Sequence, residues 1–541
     1  MVLVTETTSA PLRPFGAPSR CVGRKWEISM LRNLVTLITF LTAVFFGAAA
    51  AADPRPTLTI GVADLPPTLE PARELSNVGT RVTYSIFDTL IRRDFLSAPD
   101  GGGAALVPGL AKSWTRISPQ ELIVTLRPDV RFHSGDSLTA DDVVYTFTSQ
   151  RMFGDKPWMP EARTYFPTLE SVEAVDPHTV RFRTRVPDVL LEQRLASWCA
   201  WIVSKRAYET LGFDGFSRAP VGTGPYKVRE LRTDDRIVLD AFDDHWDGKP
   251  TASTVTFRKI PELAGRIAAL QSGDVDMITN VSPDQVALLK RRPEVDVRSV
   301  VLANVHMLTF DERGVAMGDK RIRRALSLAI DRQLLVDTLW DGTAVVPRSH
   351  NFPEYGDMYL PDRQARFDPA EAKRLLKEAG YKGEKITYRT MPHYYTNALK
   401  AAQVMIEMWK AVGINADLQV VENFSQMQAS GAQVGNWSNS TRLPDPLGAL
   451  WLTWGPGGPM QGRKAWTSVA AFNAAGTELE GETDPARRRA LFARMLDAWE
   501  DEAPGTVLYQ PAEFYAVRKQ VKWRPYTFYF MDLRPYNLRF E

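Results

Sequence analysis

Cysteine is nearly absent from this chain: Cys21 and Cys199 are the only two among 541 residues. Cys21 lies within or ahead of the segment read below as an export leader, so the mature chain keeps Cys199 alone. That excludes an internal disulfide and leaves stability to core burial. Histidine is also sparse. His133, His178, His245, His306, His350 and His393 are scattered singly, and neither His-Glu-x-x-His nor Gly-x-Ser-x-Gly occurs, which removes two principal signatures of a secreted hydrolase. The run Gly455-Pro456-Gly457-Gly458-Pro459 lacks the Lys and Ser/Thr of a phosphate loop and reads as surface. Charge of one sign is not in excess, with 66 basic against 64 acidic side chains. Removing the five basic and two acidic side chains of residues 1–52 leaves 61 and 62, a net charge of −1. This balance argues against a nucleic-acid partner and against electrostatic membrane binding. No internal repeats or coiled-coil heptads are present.

The apolar run from Leu34 to Phe46 is shorter than the roughly 20 residues a transmembrane helix requires. Leu31-Arg32-Asn33 precedes it, and Gly47 and five alanines follow it up to Asp53-Pro54. A short apolar stretch with a basic start and small residues at its end is a secretory signal peptide, with cleavage expected between Ala50 and Asp53. Met30 is the expected start, because the 29 residues before it would make an unusually long leader. No cysteine near the cut offers a lipid acceptor, so the mature protein is expected to be soluble. Its 489 residues exceed the size at which one hydrophobic core keeps growing, so two or three domains are expected, and 44% hydrophobic residues suffice to fill them.

Alternation and periodicity then place the elements. Strands are expected at 58–63, 121–126, 179–185, 226–231, 236–241, 254–260, 275–279 and 306–310. Val82, Ile86, Phe87 and Leu90 share helical spacing, and Thr139 with Asp142 starts a helix running through Gln150. Glu262 to Gln271 reads as a helix stopped by Gly273, and Ser282-Pro283 opens another. A helix from Lys320 carries Ile322, Leu326, Ile330 and Leu334 on one face. Asp368-Pro369-Ala370-Glu371 is a strong helix start ended by Gly380. A strand at 385–390, a helix at 397–411 and a strand at 414–421 give β, α, β in order. A helix from Asp484 to Trp499 and a strand at 505–510 follow. The aromatic tail, Trp523, Tyr526, Phe528, Tyr529, Phe530 and Tyr536, is expected to pack back on a lobe.

Val221-Gly222-Thr223-Gly224-Pro225-Tyr226-Lys227 and His245-Trp246-Asp247-Gly248-Lys249-Pro250 are the most informative stretches. Read by chemistry alone, the first is a Gly- and Pro-set turn launching a strand. Together with residues 106–114, 130–136, 139–145 and 321–331, taken in this order, they resemble family 5 of the extracellular solute-binding proteins of bacterial ABC importers, which includes dipeptide, oligopeptide and nickel binders. The resemblance runs from about Leu58 to Tyr536. It implies an α/β fold of the periplasmic-binding-protein type II kind: two α/β lobes around a cleft, with an additional strand-rich subdomain in lobe one. The boundaries it implies are 53–303 for lobe one with the subdomain at about 90–218, 304–505 for lobe two, and 506–541 returning to lobe one. Solute would lie between the lobes and be delivered to an inner-membrane ABC permease by a periplasmic monomer, with no catalysis, cofactor or metal.

In peptide-binding relatives, a segment that begins with a Gly-Trp pair supplies backbone groups for the peptide and then an aspartate for its amino terminus. Here Trp437 matches the tryptophan after Asn436, and Ser440 stands where the aspartate would be. A serine cannot neutralise a buried ammonium. Asp445, in Pro444-Asp445-Pro446, matches a structural Asp-Pro and is favoured for a turn. The arginine with which dipeptide binders read a carboxylate is replaced by Met391-Pro392-His393-Tyr394-Tyr395, which leaves Arg442 as a substitute from the neighbouring loop, against the ordinary reading of a solvated arginine. The binding set is then Trp437, Tyr394, Tyr395, His393, Ser438 and Ser440, with Asn77 and Thr223 facing them from lobe one. Each aromatic is as readily core as ligand contact. The set suits a peptide read through its backbone, or alternatively a sugar conjugate or opine. A nickel complex through His393, or a secreted hydrolase, are the further alternatives.

Overall fold

A computed structural model describes residues 53–541 apart from 72, 154–161, 393, 430 and 468. The leader expected before Asp53 lies outside the described residues. Two large sheets organise the rest. The first has seven strands in the order Val295–Val301, Ala512–Arg518, Met277–Ile278, Thr57–Val62, Thr254–Lys259, Arg236–Ala241 and Tyr226–Arg232. Thr57–Val62 runs parallel to both of its neighbours, and the remaining pairs are antiparallel. The second sheet has five strands in the order Ala416–Val420, Ile386–Thr390, Val434–Ser440, Asn304–Phe310 and Gly505–Tyr509. Helices cover both sheets, giving two α/β lobes.

The chain passes from one sheet to the other twice, between Val301 and Asn304 and between Tyr509 and Ala512. The crossings are held side by side: the Leu302 amide donates to the Pro511 carbonyl at 2.9 Å, and the Ala303 amide to the Thr527 carbonyl at 2.7 Å. An antiparallel four-stranded sheet, in the order Ala111–Ser118, Glu121–Leu126, Thr179–Thr184 and Leu169–Asp176, forms the strand-rich addition to lobe one. Its two central strands, Glu121–Leu126 and Thr179–Thr184, bury alternate residues, as a sheet with one solvated face must.

Most local signals act as their chemistry dictates. Thr139 and Asp142 form a capping box. The Asp368 carboxylate accepts from the Glu371 amide at 2.9 Å. Gly273 ends its helix in the left-handed conformation at φ 89°. On Ala398–Ala411, buried Ala401, Met405 and Trp409 follow at four-residue steps, and the Trp409 indole donates to the Leu326 carbonyl at 2.9 Å.

Several elements differ from expectation. The helix from Lys320 stops at Leu328, and Asp331 caps a second helix, Arg332–Trp340, by accepting from the Leu334 amide at 2.9 Å. Leu334 therefore leaves the apolar stripe and is 47% exposed, while Ile322, Leu326 and Ile330 are buried. The helix at Thr139 ends at Thr146, after which Ser149–Phe153 widens into a π-turn. Buried Arg151 is held there by the Thr146 carbonyl at 3.0 Å. Residues 77–83 are helical, but the chain unwinds before Ile86, Phe87 and Leu90, which are nonetheless buried. The strand expected at 275–279 shrinks to Met277–Ile278.

The terminal aromatics pack against lobe one. Phe530 stacks on Tyr84 at 4.6 Å, Tyr526 stacks on Phe95 at 4.6 Å, and Trp198 meets Phe530 edge-on at 5.1 Å. Tyr536 stays partly exposed, with its hydroxyl donating to Asp532 at 2.6 Å.

Candidate functional site

The glycine-rich turn at 221–227 lies in lobe one, where the Gly224 amide donates to the Ile86 carbonyl at 2.9 Å. Its two glycines sit against the backbone of Ile86: a Cβ on Gly222 would lie 2.1 Å from the Ile86 oxygen, and one on Gly224 would lie 2.6 Å from the Ile86 carbonyl carbon. Only glycine permits this approach. The turn thereby brings Thr223 to Asp88, whose carboxylate accepts from the Thr223 hydroxyl at 3.0 Å, the Trp246 indole at 3.0 Å and the Arg534 guanidinium at 2.6 Å. Burial alone would raise the Asp88 carboxyl, but Arg534, with His245 and Arg92, holds it well below the usual carboxylate range. Arg534 also pairs with Asp532 at 3.0 Å. The two signature stretches thus meet in a buried ionic knot that ties the C-terminal tail to lobe one. His133 completes the turn: its Nε2 lies 2.9 Å from the Gly224 carbonyl and its Nδ1 3.3 Å from the Gly222 amide. A carbonyl on one side and an N–H on the other require the neutral ring with its proton on Nε2.

The faces of the two lobes meet beside the crossing strands. From lobe two come Tyr394 and the strand Val434–Ser440, which lies against Asn304–Phe310 with Trp437 opposite Met307 and Ser440 opposite Asn304. From lobe one come the helix Asn77–Thr83, the tail and Trp198. The Asn77 backbone lies near the Tyr394 hydroxyl, and the charges of Glu74 and Arg81 reach the same phenol. Burial raises the Glu74 carboxyl, although Ser76 donates to it from hydroxyl and amide. Tyr394 packs edge-on against Tyr395 at 4.6 Å and Phe424 at 4.8 Å, and Phe424 against Trp437 at 6.3 Å. The Arg463 guanidinium lies 5.5 Å from the centre of the Trp437 ring.

The remaining predicted residues divide. Asn77, Tyr394, Tyr395, Trp437 and Ser438 are brought together, with the Tyr395 hydroxyl near Ser438. Ser440 is buried and its hydroxyl accepts from Asn304 Nδ2 at 2.8 Å. Asn436 is turned the other way, its carbonyl accepting from the Tyr388 hydroxyl at 3.1 Å. Thr223 is fully buried in the Asp88 knot. Asp445 caps the turn Pro446–Gly448 and pairs with Arg488 at 2.6 Å. Arg442 reaches across to lobe one, its guanidinium 4.9 Å from the Tyr165 ring centre and 5.1 Å from that of Trp198. His393 lies outside the described residues.

Several cleft groups carry no sequence signal of their own: Asn304, Thr441, Thr527, Tyr165, Trp198 and Arg93. Among the described residues, the buried Asn304 Oδ1, Thr441 Oγ1, Thr527 Oγ1, Tyr165 hydroxyl and Trp198 Nε1 have no hydrogen-bond partner. Orphaned buried polar atoms are costly, and a group of them at a lobe boundary is suited to a polar ligand or to ordered water. Only their convergence in space, after folding, reveals them. Among the described residues no histidine here pairs with a nucleophile. His306 is packed among Tyr395, Trp340 and Tyr509, and burial lowers it to about 3. His350 lies against Asn439 at 2.8 Å and is likewise lowered by burial, to about 3. Among the described residues no three His, Cys, Asp or Glu side chains gather as a metal site. The chemistry available is hydrogen bonding, ring stacking and charge pairing.

The sequence profile of the bacterial extracellular solute-binding proteins, family 5 (middle), matches residues 105–461. The dipeptide-binding protein of Escherichia coli is 26% identical over 450 residues, covering 78% of this chain and 84% of that protein. Among solved structures, the dipeptide-binding protein of a Pseudoalteromonas species in complex with Met-Leu superposes with a TM-score of 0.81 at 21% identity, covering 90% of this chain and all of that one. An ABC transporter-associated periplasmic binding protein of Helicobacter pylori in complex with the peptide STSA gives 0.79 at 22% identity, covering 90% and 98%. These likenesses fix the fold as that of type II periplasmic binding proteins. Among the described residues no helix is long and apolar enough to cross a membrane.

Proposed function

This chain belongs to family 5 of the bacterial extracellular solute-binding proteins, and on that premise we propose that it captures a peptide or peptide-like solute between its lobes and delivers it to an inner-membrane ABC permease. The carrying observation is the group of unpartnered polar atoms around the crossings, Asn304 Oδ1, Thr441 Oγ1 and Thr527 Oγ1, flanked by Tyr394, Tyr395 and Trp437. Such a set reads amide backbone and flat groups by hydrogen bonds and stacking. Solute binds and leaves unchanged, and the protein acts as a periplasmic monomer after removal of its leader. Lobe one is residues 53–303 with its strand-rich subdomain at about 90–218. Lobe two begins at 304 and is extended through Tyr509, because Gly505–Tyr509 pairs with Asn304–Phe310. Solute that bridges both lobes shifts an open-to-closed equilibrium toward the closed form that the permease recognises.

The direct test is Trp437→Ala. Calorimetric titration with the solute recovered from native purification should show affinity at least about 10-fold weaker, the loss of a stacked aromatic in a desolvated site. Unchanged affinity would put the site elsewhere.

A further inference from the structure

A second contact between the lobes joins the strand-rich subdomain of lobe one to helices of lobe two, and none of its residues belongs to a crossing. Leu190, at the start of the helix Leu191–Leu195, is buried in the apolar cluster of lobe two that holds Leu450, Trp451 and Leu479. Leu452, on the lobe-two helix Leu450–Trp454, is buried in turn in the cluster of lobe one. Each lobe thus inserts one leucine into the other. The chains close up beside them: a Cβ on Gly457 would lie 2.9 Å from Thr164 Cγ2, and one on Gly481 would lie 3.5 Å from Val186 Cβ. The polar part of the contact is Glu480, on the lobe-two helix Ala470–Gly481. It accepts from the Trp451 indole at 2.6 Å, burial raises its carboxyl, and Arg194, Asp188 and Arg185 of the subdomain act on it by charge. Arg194 is 2% exposed; its Nε donates to Asp188 at 3.0 Å and its Nη1 to the Tyr165 carbonyl at 2.7 Å. Its Nη2, among the described residues, has no hydrogen-bond partner.

The subdomain is anchored in lobe one. The Ile202 amide donates to the Asp88 carbonyl at 3.0 Å, and Trp198 packs edge-on against Phe528 and Phe530 of the tail. Its contact with lobe two, by contrast, is made by inserted leucines and by charge, which a rotation about the crossings can part. We propose that the strand-rich subdomain is a closing latch: Leu190 and Leu452 leave water, and Arg194 meets Glu480, only when the lobes shut. This deepens the reading given above and rests on its opening and closing of the lobes, not on the identity of the solute. Apolar surface covered only in the closed form favours that form whatever the cleft holds. The latch therefore raises the closed fraction of the solute-free chain, and apparent affinity rises with that fraction.

The test uses the full mature chain, freed of solute and carrying Val186→Cys with Gly481→Cys, whose Cβ separation of 3.5 Å suits a disulfide. Solution X-ray scattering compares the linked and reduced forms, and the rate of linkage reports how often the latch is shut. The expected result is a larger radius of gyration for the reduced chain than for the linked one. Adding Leu190→Ala should slow linkage about 10-fold, the loss of most of one buried leucine. Adding Glu480→Gln, which preserves volume, should slow it about 2- to 5-fold, and this variant decides the matter if Leu190→Ala fails to fold. Equal radii for linked and reduced chains would show that the subdomain rests on lobe two in every state and would overturn the latch. So would linkage rates unchanged in the folded variants. A second arm adds an equimolar pool of synthetic di- to pentapeptides before linkage. The linked chain should hold captured peptide through dialysis that empties the reduced chain, and equal release from both overturns the latch. Capture of no peptide by either form overturns the peptide reading, while the scattering and linkage rates, which need no solute, still decide the latch.

Discussion

At the scale of single residues, burial that outweighs any neighbouring charge sets apart three of this chain's histidines. His133, His306 and His350 are lowered by burial to about 4, 3 and 3. In the unfolded chain each takes up a proton near pH 6.5, while the folded chain resists until far lower pH. Their stabilising contribution is therefore complete above about pH 6.5 and is lost as pH falls below it, at about 1.4 kcal/mol per pH unit for each histidine. Denaturant unfolding between pH 6.5 and 5 should show a stability slope of up to about 4 kcal/mol per pH unit, reporting up to three protons taken up on unfolding. A flat profile in that window would contradict the neutral, buried assignment. The sequence displays these histidines as isolated and gives no hint of their burial, because the groups that enclose them, such as Tyr395 and Tyr509 around His306, are distant in the chain. Asp88 is hidden in the same way: its partners Thr223, Trp246 and Arg534 come from three separate segments.

At the scale of elements, local signals were legible wherever the deciding interaction is local. The cap at Asp368, the stop at Gly273 and the alternation of 121–126 need only near neighbours. They fail where a competing contact lies one turn away, as at Asp331, whose carboxylate takes the Leu334 amide and divides one expected helix into two. The glycine-rich turn is legible as a turn, but its tight contact with Ile86 is not. Gly222→Ala should destabilise the protein by roughly 1–3 kcal/mol or more, since backbone has to move to admit a Cβ 2.1 Å from a carbonyl oxygen. Gly462→Ala, with open space around its Cβ, serves as the control and should change stability by less than about 1 kcal/mol in either direction. Equal urea midpoints for the two variants would show that the close approach carries no energetic weight.

At the scale of the whole molecule, the two-lobed architecture was legible because the family motifs fall in order along the chain, and order of motifs is a global property that single elements lack. The binding set was only partly legible. Trp437, Tyr394 and Asn77 converge at the lobe boundary, while Asn436 and Asp445 hydrogen-bond within their own lobe. The cleft groups Arg93, Tyr165 and Trp198 join Arg442 only through the packing of the strand-rich subdomain and the tail against lobe two. Capture without conversion is the function proposed for this geometry. It is tested most directly by titrating the purified mature protein with its natively bound solute and weighing that solute before and after release. One solute per chain, saturable and recovered with its mass unchanged, is the expected result; a stoichiometry without saturation, or a released compound of altered mass, would contradict it.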